Sequence, residues 1–308
     1  MASKKSEIRQ HYFLKKYVII TPGRAKRPRD VKEQTVIKRT AKCPFCPENI
    51  DKKTIVDKVE SGNSGGSVLA VKNIFPAVSL NNPKAFGAQE VIIETSKHTQ
   101  ELANLSEAEI SRVIKMYIQR TKELSKNKKL DYILCFKNQG SKAGASIIHA
   151  HSQVFASNLI PPDLKEEALA LKKYKAKSGR CAYCDIIKKE TKSKRKIYSD
   201  KYIAAFAPYA SQYHYEAWIF PRRHLDNITL LNKDEQKSLV KSLKIILKKM
   251  QALDLSFNLF LHNVISDKNQ HFYIKVQPRD SVWAGVELGS GLVINSVPPE
   301  EAARYYKS

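Results

Sequence analysis

Residues 138–156 read NQGSKAGASIIHAHSQVFA. They follow an apolar run of strand length and composition, Asp131 to Phe136, and lead into a second β-prone piece, Gln153 to Ala156. The polar residues therefore occupy a strand-loop-strand unit. Gly140 and Gly144, with the small Ala143, Ala145 and Ser146, let backbone N–H groups approach an anionic ligand closely, and phosphate is the natural guest. In an extended segment alternate side chains share a face, so His149, His151 and Gln153 project together. Two satisfied structural histidines would give the same His-x-His spelling, and the motif by itself leaves both readings open.

Outward from this stretch the chain repeats itself. The first half runs Cys43-Pro-Phe-Cys46, a strand from Val68 to Phe75, and a strand from Glu90 that delivers His98 at its end. A capping box, Ser106 with Glu109, then opens a helix that buries Ile110, Val113, Ile114, Tyr117, Ile118 and Leu124. The second half offers Cys181-Ala-Tyr-Cys184, a strand from Tyr202 to Phe206, and a strand from Glu216 leading to His224. A helix capped by Asn232 and Glu235 runs to about Met250, followed by the strand Asn258 to Leu261 and by His271-Phe-Tyr-Ile274. So many unlike elements in one order indicate a duplication. The fold class expected is α+β, two tandem copies of one unit, each an antiparallel sheet with one main helix. The expected boundaries are 1–160, a linker at 161–180, and 181–308.

Composition narrows the class further. The chain has 308 residues, of which 42% are apolar, enough for packed cores and too apolar for wholesale disorder. No apolar run has the length of a signal sequence core or of a membrane span, so a soluble, cytoplasmic protein without a membrane partner is expected. Four of the five cysteines form two Cys-x-x-Cys pairs, which suit metal binding in a reducing compartment, while Cys135 sits inside an apolar strand as core. The net charge of +24 is mostly lysine spread along the chain, as expected of solvated faces. A zinc-stabilised nucleic-acid-binding protein is the competing reading that this charge motivates.

His149-Ala-His151-Ser-Gln153 and the loop before it resemble the active-site segment of the galactose-1-phosphate uridylyltransferase family, the transferase branch of the histidine-triad superfamily. That family's motif is H-P-H-x-Q, and Ala150 stands here in place of the proline. Related hydrolases carry a third histidine where this chain has Gln153. Thr21 to Pro28 resembles the family's S-P-x-R-x-x-R-P, which implies Arg24 and Arg27 near the nucleotide, and Asn73-Ile-Phe75-Pro resembles another nucleotide-site segment, with Ile74 where aspartate is usual. The resemblance also implies zinc on Cys43, Cys46, His98 and His149. The repeat extends the pattern to a second zinc on Cys181, Cys184, His224 and His271.

The activity so implied is movement of UMP between hexose 1-phosphates, turning UDP-glucose and galactose 1-phosphate into UDP-galactose and glucose 1-phosphate. His151 would carry the nucleotide covalently in a ping-pong cycle, since a neutral imidazole is a competent nucleophile. Gln153, Ser146, Gly144 and Asn138 would hold the phosphates. Glu287 matches a hexose-contacting position, although a glutamine that family members use nearby is missing. Tyr273 stands where the second copy would need a nucleophile, so one active site per duplicated pair is expected. The same histidine and glutamine would equally serve a phosphorylase of ADP-glucose or of dinucleoside polyphosphates. A homodimer with shared sites is the family's usual state.

Overall fold

Strands buried on one or both faces and two capped amphipathic helices build a large antiparallel sheet with helices on both faces. The computed structural model describes residues 5–26, 42–60, 66–264 and 267–308. In chain order the strands are β1 (Glu7–Gln10), β2 (Tyr17–Ile20), β3 (Ile55–Val59), β4 (Val68–Lys72), β5 (Gly87–Ile93), β6 (Tyr132–Gln139) and β7 (His151–Ser157). They continue with β8 (Lys196–Ser199), β9 (Ile203–Phe206), β10 (Ala217–Pro221), β11 (Phe257–His262), β12 (Tyr273–Pro278) and β13 (Val293–Asn295). The helices are α1 (Glu107–Leu124), α2 (Pro162–Ser178), α3 (Ala182–Glu190), α4 (Lys233–Ala252), α5 (Gly285–Ser290) and α6 (Pro299–Lys307).

Among the described residues ten strands form one sheet in the order β3-β4-β5-β7-β6-β11-β12-β10-β9-β8. The order is a palindrome. Outward from the centre, β6, β7, β5, β4 and β3 are matched in sequence by β11, β12, β10, β9 and β8, and every neighbour pairs antiparallel. The halves meet where β6 pairs with β11, Phe136 opposite Phe260 and Asn138 opposite Asn258. The α+β duplication is thus present, and both copies share one sheet. Residues 161–180, expected as a linker, contain α2, which opens with Pro162 in its first turn and closes on Gly179 in the left-handed conformation.

Both main helices carry complete capping boxes, Ser106 with Glu109 on α1 and Asn232 with Glu235 on α4. They pack side by side over one face, where Ile110, Val113 and Ile114 join Leu239, Leu243 and Ile246 in one core with Ile133, Cys135 and Val154 from the sheet. The opposite face is divided. Over the second half α2 and α3 cover Phe206, Trp218, Phe220 and Tyr273. Over the first half the segment around Phe45 and Ile50 packs on Val71, Val91 and Ile93. His151 and Gln153 lie on this second face, away from α1 and α4, because Ser152, Val154 and Ala156 between and beyond them take the buried side.

A three-stranded sheet, β1-β2-β13, brings the start of the chain onto its end. Arg9 of β1 and Arg195 both donate to Glu300 at the start of α6, at 3.0 and 2.8 Å. No described helix is long and apolar enough to cross a membrane.

The Glu300 cluster gives a prediction with a definite sign. Burial raises the Glu300 carboxyl, but hydrogen bonds from Arg195 and Arg9 outweigh it and hold it below the ordinary 4.5. A carboxyl depressed on folding contributes stability that is fully present above 4.5 and is lost as pH falls through the lower folded value. Thermal melts of Glu300→Gln should therefore lie below the parent at pH 7 and converge on it as the solution is acidified below 4.5. A constant gap across that range contradicts the assignment.

Candidate active site and metal centre

The site begins with two glycines. Gly140 and Gly144 adopt φ of 80° and 83°, where L side chains are strained, and a Cβ on Gly140 would stand 2.2 Å from Ser256 Oγ. They bracket the short 3-10 turn Ser141–Ala143, which lets the chain leave β6 and return to β7 with Ser146 exposed. The loop is tied down from the other half. Asn258 of β11 donates from one amide group to Asn138 Oδ1 and to the Ala143 carbonyl, both at 2.9 Å. Sequence reasoning missed Asn258, whose partner is 120 residues away and is supplied by strand pairing alone.

The two histidines are fixed by carbonyl groups, which only accept. His149 Nε2–H donates to Thr95 O at 2.7 Å, so its Nδ1 lone pair faces Cys43 Sγ at 3.7 Å and Cys46 Sγ at 3.8 Å. A turn after β5 brings His98 Nδ1 to 3.5 Å from Cys46 Sγ. These four donor atoms all lie within 4.8 Å of one another. Zinc bonds of roughly 2.3 Å to sulfur and 2.0–2.1 Å to nitrogen at tetrahedral angles place a sulfur about 3.5 Å from a nitrogen, which is the spacing present here. Cys43, Cys46, His98 and His149 thus fit one tetrahedral ion with no open position. Burial lowers the His149 pKa more than the Thr95 contact raises it, which keeps this imidazole neutral and able to ligate.

His151 has the opposite polarity. Its Nδ1–H donates to the His149 carbonyl at 2.8 Å, leaving the Nε2 lone pair without a proton to displace. Burial moves its pKa below 6.5, with the contact to His149 opposing and Lys137 adding to the fall. The Phe45 ring, between the two cysteines, lies 5.0 Å from the His151 ring and 6.3 Å from that of His149. The knuckle therefore packs on the histidine that it does not ligate.

Gln153 is oriented by a relay that the sequence did not announce. The Ala77 N–H donates to Gln89 Oε1 at 2.9 Å, and Gln89 Nε2 donates to Gln153 Oε1 at 3.0 Å. With its oxygen occupied, Gln153 presents its amide N–H₂ outward as a donor. Asn73 lies on the same relay: its N–H donates to Gln89 O at 3.1 Å, and its side chain accepts from Phe75 N–H at 2.8 Å. Phe75 is 86% exposed, an aromatic face with no ring partner among the described residues.

Arg27 falls outside the described residues, whereas exposed Arg24 follows β2; burial raises the Glu287 carboxyl, but backbone N–H groups of Ala284 and Ile294 outweigh it, with Arg24 adding a smaller pull in the same direction. Glu287 itself caps α5, accepting from Ala284 N–H at 2.9 Å and Ile294 N–H at 3.3 Å. Each carboxylate oxygen thus accepts one bond from within the chain.

The second half departs from its twin. Cys184 Sγ lies 3.5 Å from His224 Nδ1, and His224 Nε2–H donates to Lys268 O at 2.9 Å, as on the first side. Cys181, Cys184 and His224 form a three-donor group that does not include His271. His271 donates its Nδ1–H to Phe272 O at 2.9 Å, so the expected fourth ligand turns that nitrogen away and leaves a buried Nε2 without a partner among the described residues. Burial drives its pKa down to about 4. Tyr273, at the position matching His151, is buried, stacks on His262 with centroids 4.5 Å apart, and donates to Glu167 at 3.2 Å. Glu167 also accepts from Tyr183 at 2.5 Å, so α2 covers this face with a carboxylate.

Comparison with known proteins follows the same line. Residues 69–161 match the family described as galactose-1-phosphate uridyl transferase, N-terminal domain. ADP-glucose phosphorylase of Arabidopsis thaliana is 29% identical over 97% of this chain and 91% of its own. Galactose-1-phosphate uridylyltransferase of Thermotoga maritima is 28% identical over 97% of this chain and 96% of its own. The crystal structure of the Arabidopsis phosphorylase with bound ADP-glucose superposes with a TM-score of 0.86 at 27% identity, covering 99% of both chains. A uridylyltransferase structure superposes at 0.76 and 27% identity, covering 98% of both chains.

The donor geometry predicts metal content. Cys43→Ala should bind one equivalent of zinc fewer than the parent by elemental analysis and melt at a lower temperature, because an ion held only by the folded chain stabilises it. Equal metal content in the two proteins would show that these four donors hold no ion.

Proposed function

Since the chain belongs to the galactose-1-phosphate uridylyltransferase family of the histidine-triad superfamily, we propose that His151 carries its nucleotide during transfer. The chain is a uridylyltransferase-like enzyme. The observation that supports the covalent route is the hydrogen bond from His151 Nδ1–H to the His149 carbonyl, which leaves the lone pair on Nε2.

The reaction balances on that atom. Nε2 attacks the α-phosphorus of a nucleoside diphosphate hexose, a P–N bond forms, and the bond to the bridging oxygen breaks. The electron pair leaves on a hexose 1-phosphate, whose low basicity requires no general acid. A phosphate oxygen of the acceptor then attacks the same phosphorus, the P–N bond breaks, and the lone pair returns to Nε2. The outward amide of Gln153, with N–H groups of the loop at Gly144 to Ser146, donates to the non-bridging oxygens as charge gathers there. Asn138, held by Asn258, lines the same wall. Asn73 and Phe75 receive the base, Arg24 and Arg27 the remaining nucleotide charge, and Glu287 the hexose.

Zinc on Cys43, Cys46, His98 and His149 would fix the backbone that carries His151, as a closed four-ligand site does. The second half would hold a second ion more weakly, on three donors. A homodimer, cytoplasmic residence and the division into 1–160 and 181–308 about the segment 161–180 complete the proposal.

The first substrate assignment is UMP transfer between glucose 1-phosphate and galactose 1-phosphate, on the strength of the curated uridylyltransferases. A second reading, phosphorolysis of ADP-glucose, is supported by the higher TM-score against the Arabidopsis phosphorylase. Incubation with α-labelled UDP-glucose and ADP-glucose in parallel, followed by peptide mass analysis, separates them. UMP on His151 supports the first reading, AMP supports the second, and His151→Ala should take up neither. Turnover of His151→Ala at the parental rate would overturn the mechanism.

A further inference from the structure

We propose that Lys137, on the far side of the sheet from the imidazole, is a positioning residue that clamps the backbone of His151 for nucleotidyl transfer. The inference rests on His151 being the nucleophile. Lys137 follows Ile133 and Cys135 on the face of β6 covered by α1 and α4, and its side chain is 1% exposed. Its Nζ donates to Glu94 at 2.8 Å and to the His151 carbonyl at 2.9 Å. Register pairing between β6 and β7 ends at Phe136 opposite Gln153. Beyond that pair the ammonium supplies the donor that the ladder no longer provides on this side.

The bond closes a circuit around the site. His151 Nδ1–H donates to His149 O, and His149 Nε2–H donates to Thr95 O. Thr95 follows Glu94, whose N–H donates to Ala150 O at 3.1 Å and whose carboxylate takes Lys137. Residues 149–151 are thereby held by neighbouring strands through side chain and backbone alike, although Ala150 itself, unlike proline, does not fix φ. Tyr117 of α1 faces the same carboxylate, with Ser152 of β7 beside its hydroxyl.

A fully buried lysine and glutamate are a poor source of stability, because desolvation of both charges consumes most of what their attraction returns. Holding an attacking nitrogen within a fraction of an ångström repays such a pair differently, since displacement by about 1 Å costs on the order of 100-fold in rate.

The test uses single-turnover labelling of the full-length protein with whichever α-labelled sugar nucleotide modifies the parent. The rate constant, unlike the yield, refers only to folded molecules. Lys137→Met strands the Glu94 charge, so Lys137→Met/Glu94→Leu, which strands none, is measured beside it. The clamp predicts that the double variant melts close to the parent yet labels about 10- to 100-fold more slowly at saturating nucleotide, with the half-saturating concentration unchanged. Labelling within twofold of the parent in the double variant overturns the proposal. Failure of the parent to label is a failure of the covalent mechanism and appears before any variant is compared. The clamp is then decided by amide hydrogen exchange in Lys137→Met: faster exchange at 149–152 than in the parent, with β3 and β4 unchanged, supports it, and unchanged exchange at 149–152 overturns it.

Discussion

A backbone carbonyl that can only accept decides what the centre of this protein is able to do. His149 O lies 2.8 Å from His151 Nδ1, so the proton of the second imidazole is committed there and its other nitrogen is basic. Thr95 O does the reverse for His149, taking Nε2–H at 2.7 Å and aiming Nδ1 at two thiols. Two histidines of the same spelling, two residues apart, acquire opposite roles from the carbonyl that each one meets. Neither assignment depends on the charge or hydrophobicity of the residue itself.

The rest of the fold supplies those carbonyls at the right places. The four donors that could hold a metal come from a knuckle, a turn after β5 and the segment just before β7, and pairing of β5 with β7 sets Thr95 beside His149. The second half contributes through the shared sheet, where Asn258 reaches across to Asn138 and Ala143. Its own equivalent of the site has been closed. Tyr273 and Tyr183 donate to Glu167 of α2, so an internal carboxylate covers that face of the second half.

Much of this was legible in the sequence. The capping boxes at Ser106 and Asn232, the loop glycines at 140 and 144 and the duplicated order of elements are local signals, written in residues close together in the chain. The joining of both copies into one ten-stranded sheet is not local, and no motif records it. The same limit hid Asn258 and Gln89, whose effects pass through strand pairing to residues far along the chain. His271 misled by symmetry: its position repeats that of His149, but the carbonyl it meets is Phe272 O, on its Nδ1 side. The +24 charge carried little structural information, since most of the lysines lie on solvated surfaces while the one that matters to the site, Lys137, is buried.

The central claim concerns one nitrogen, and the site of the P–N bond in a trapped nucleotidyl-enzyme tests it most directly. Phosphorus-31 to nitrogen-15 coupling in protein labelled at histidine reads that bond. The account predicts phosphorus on Nε2 of His151 with Nδ1 still protonated. Phosphorus on Nδ1, or on any histidine other than His151, would contradict it.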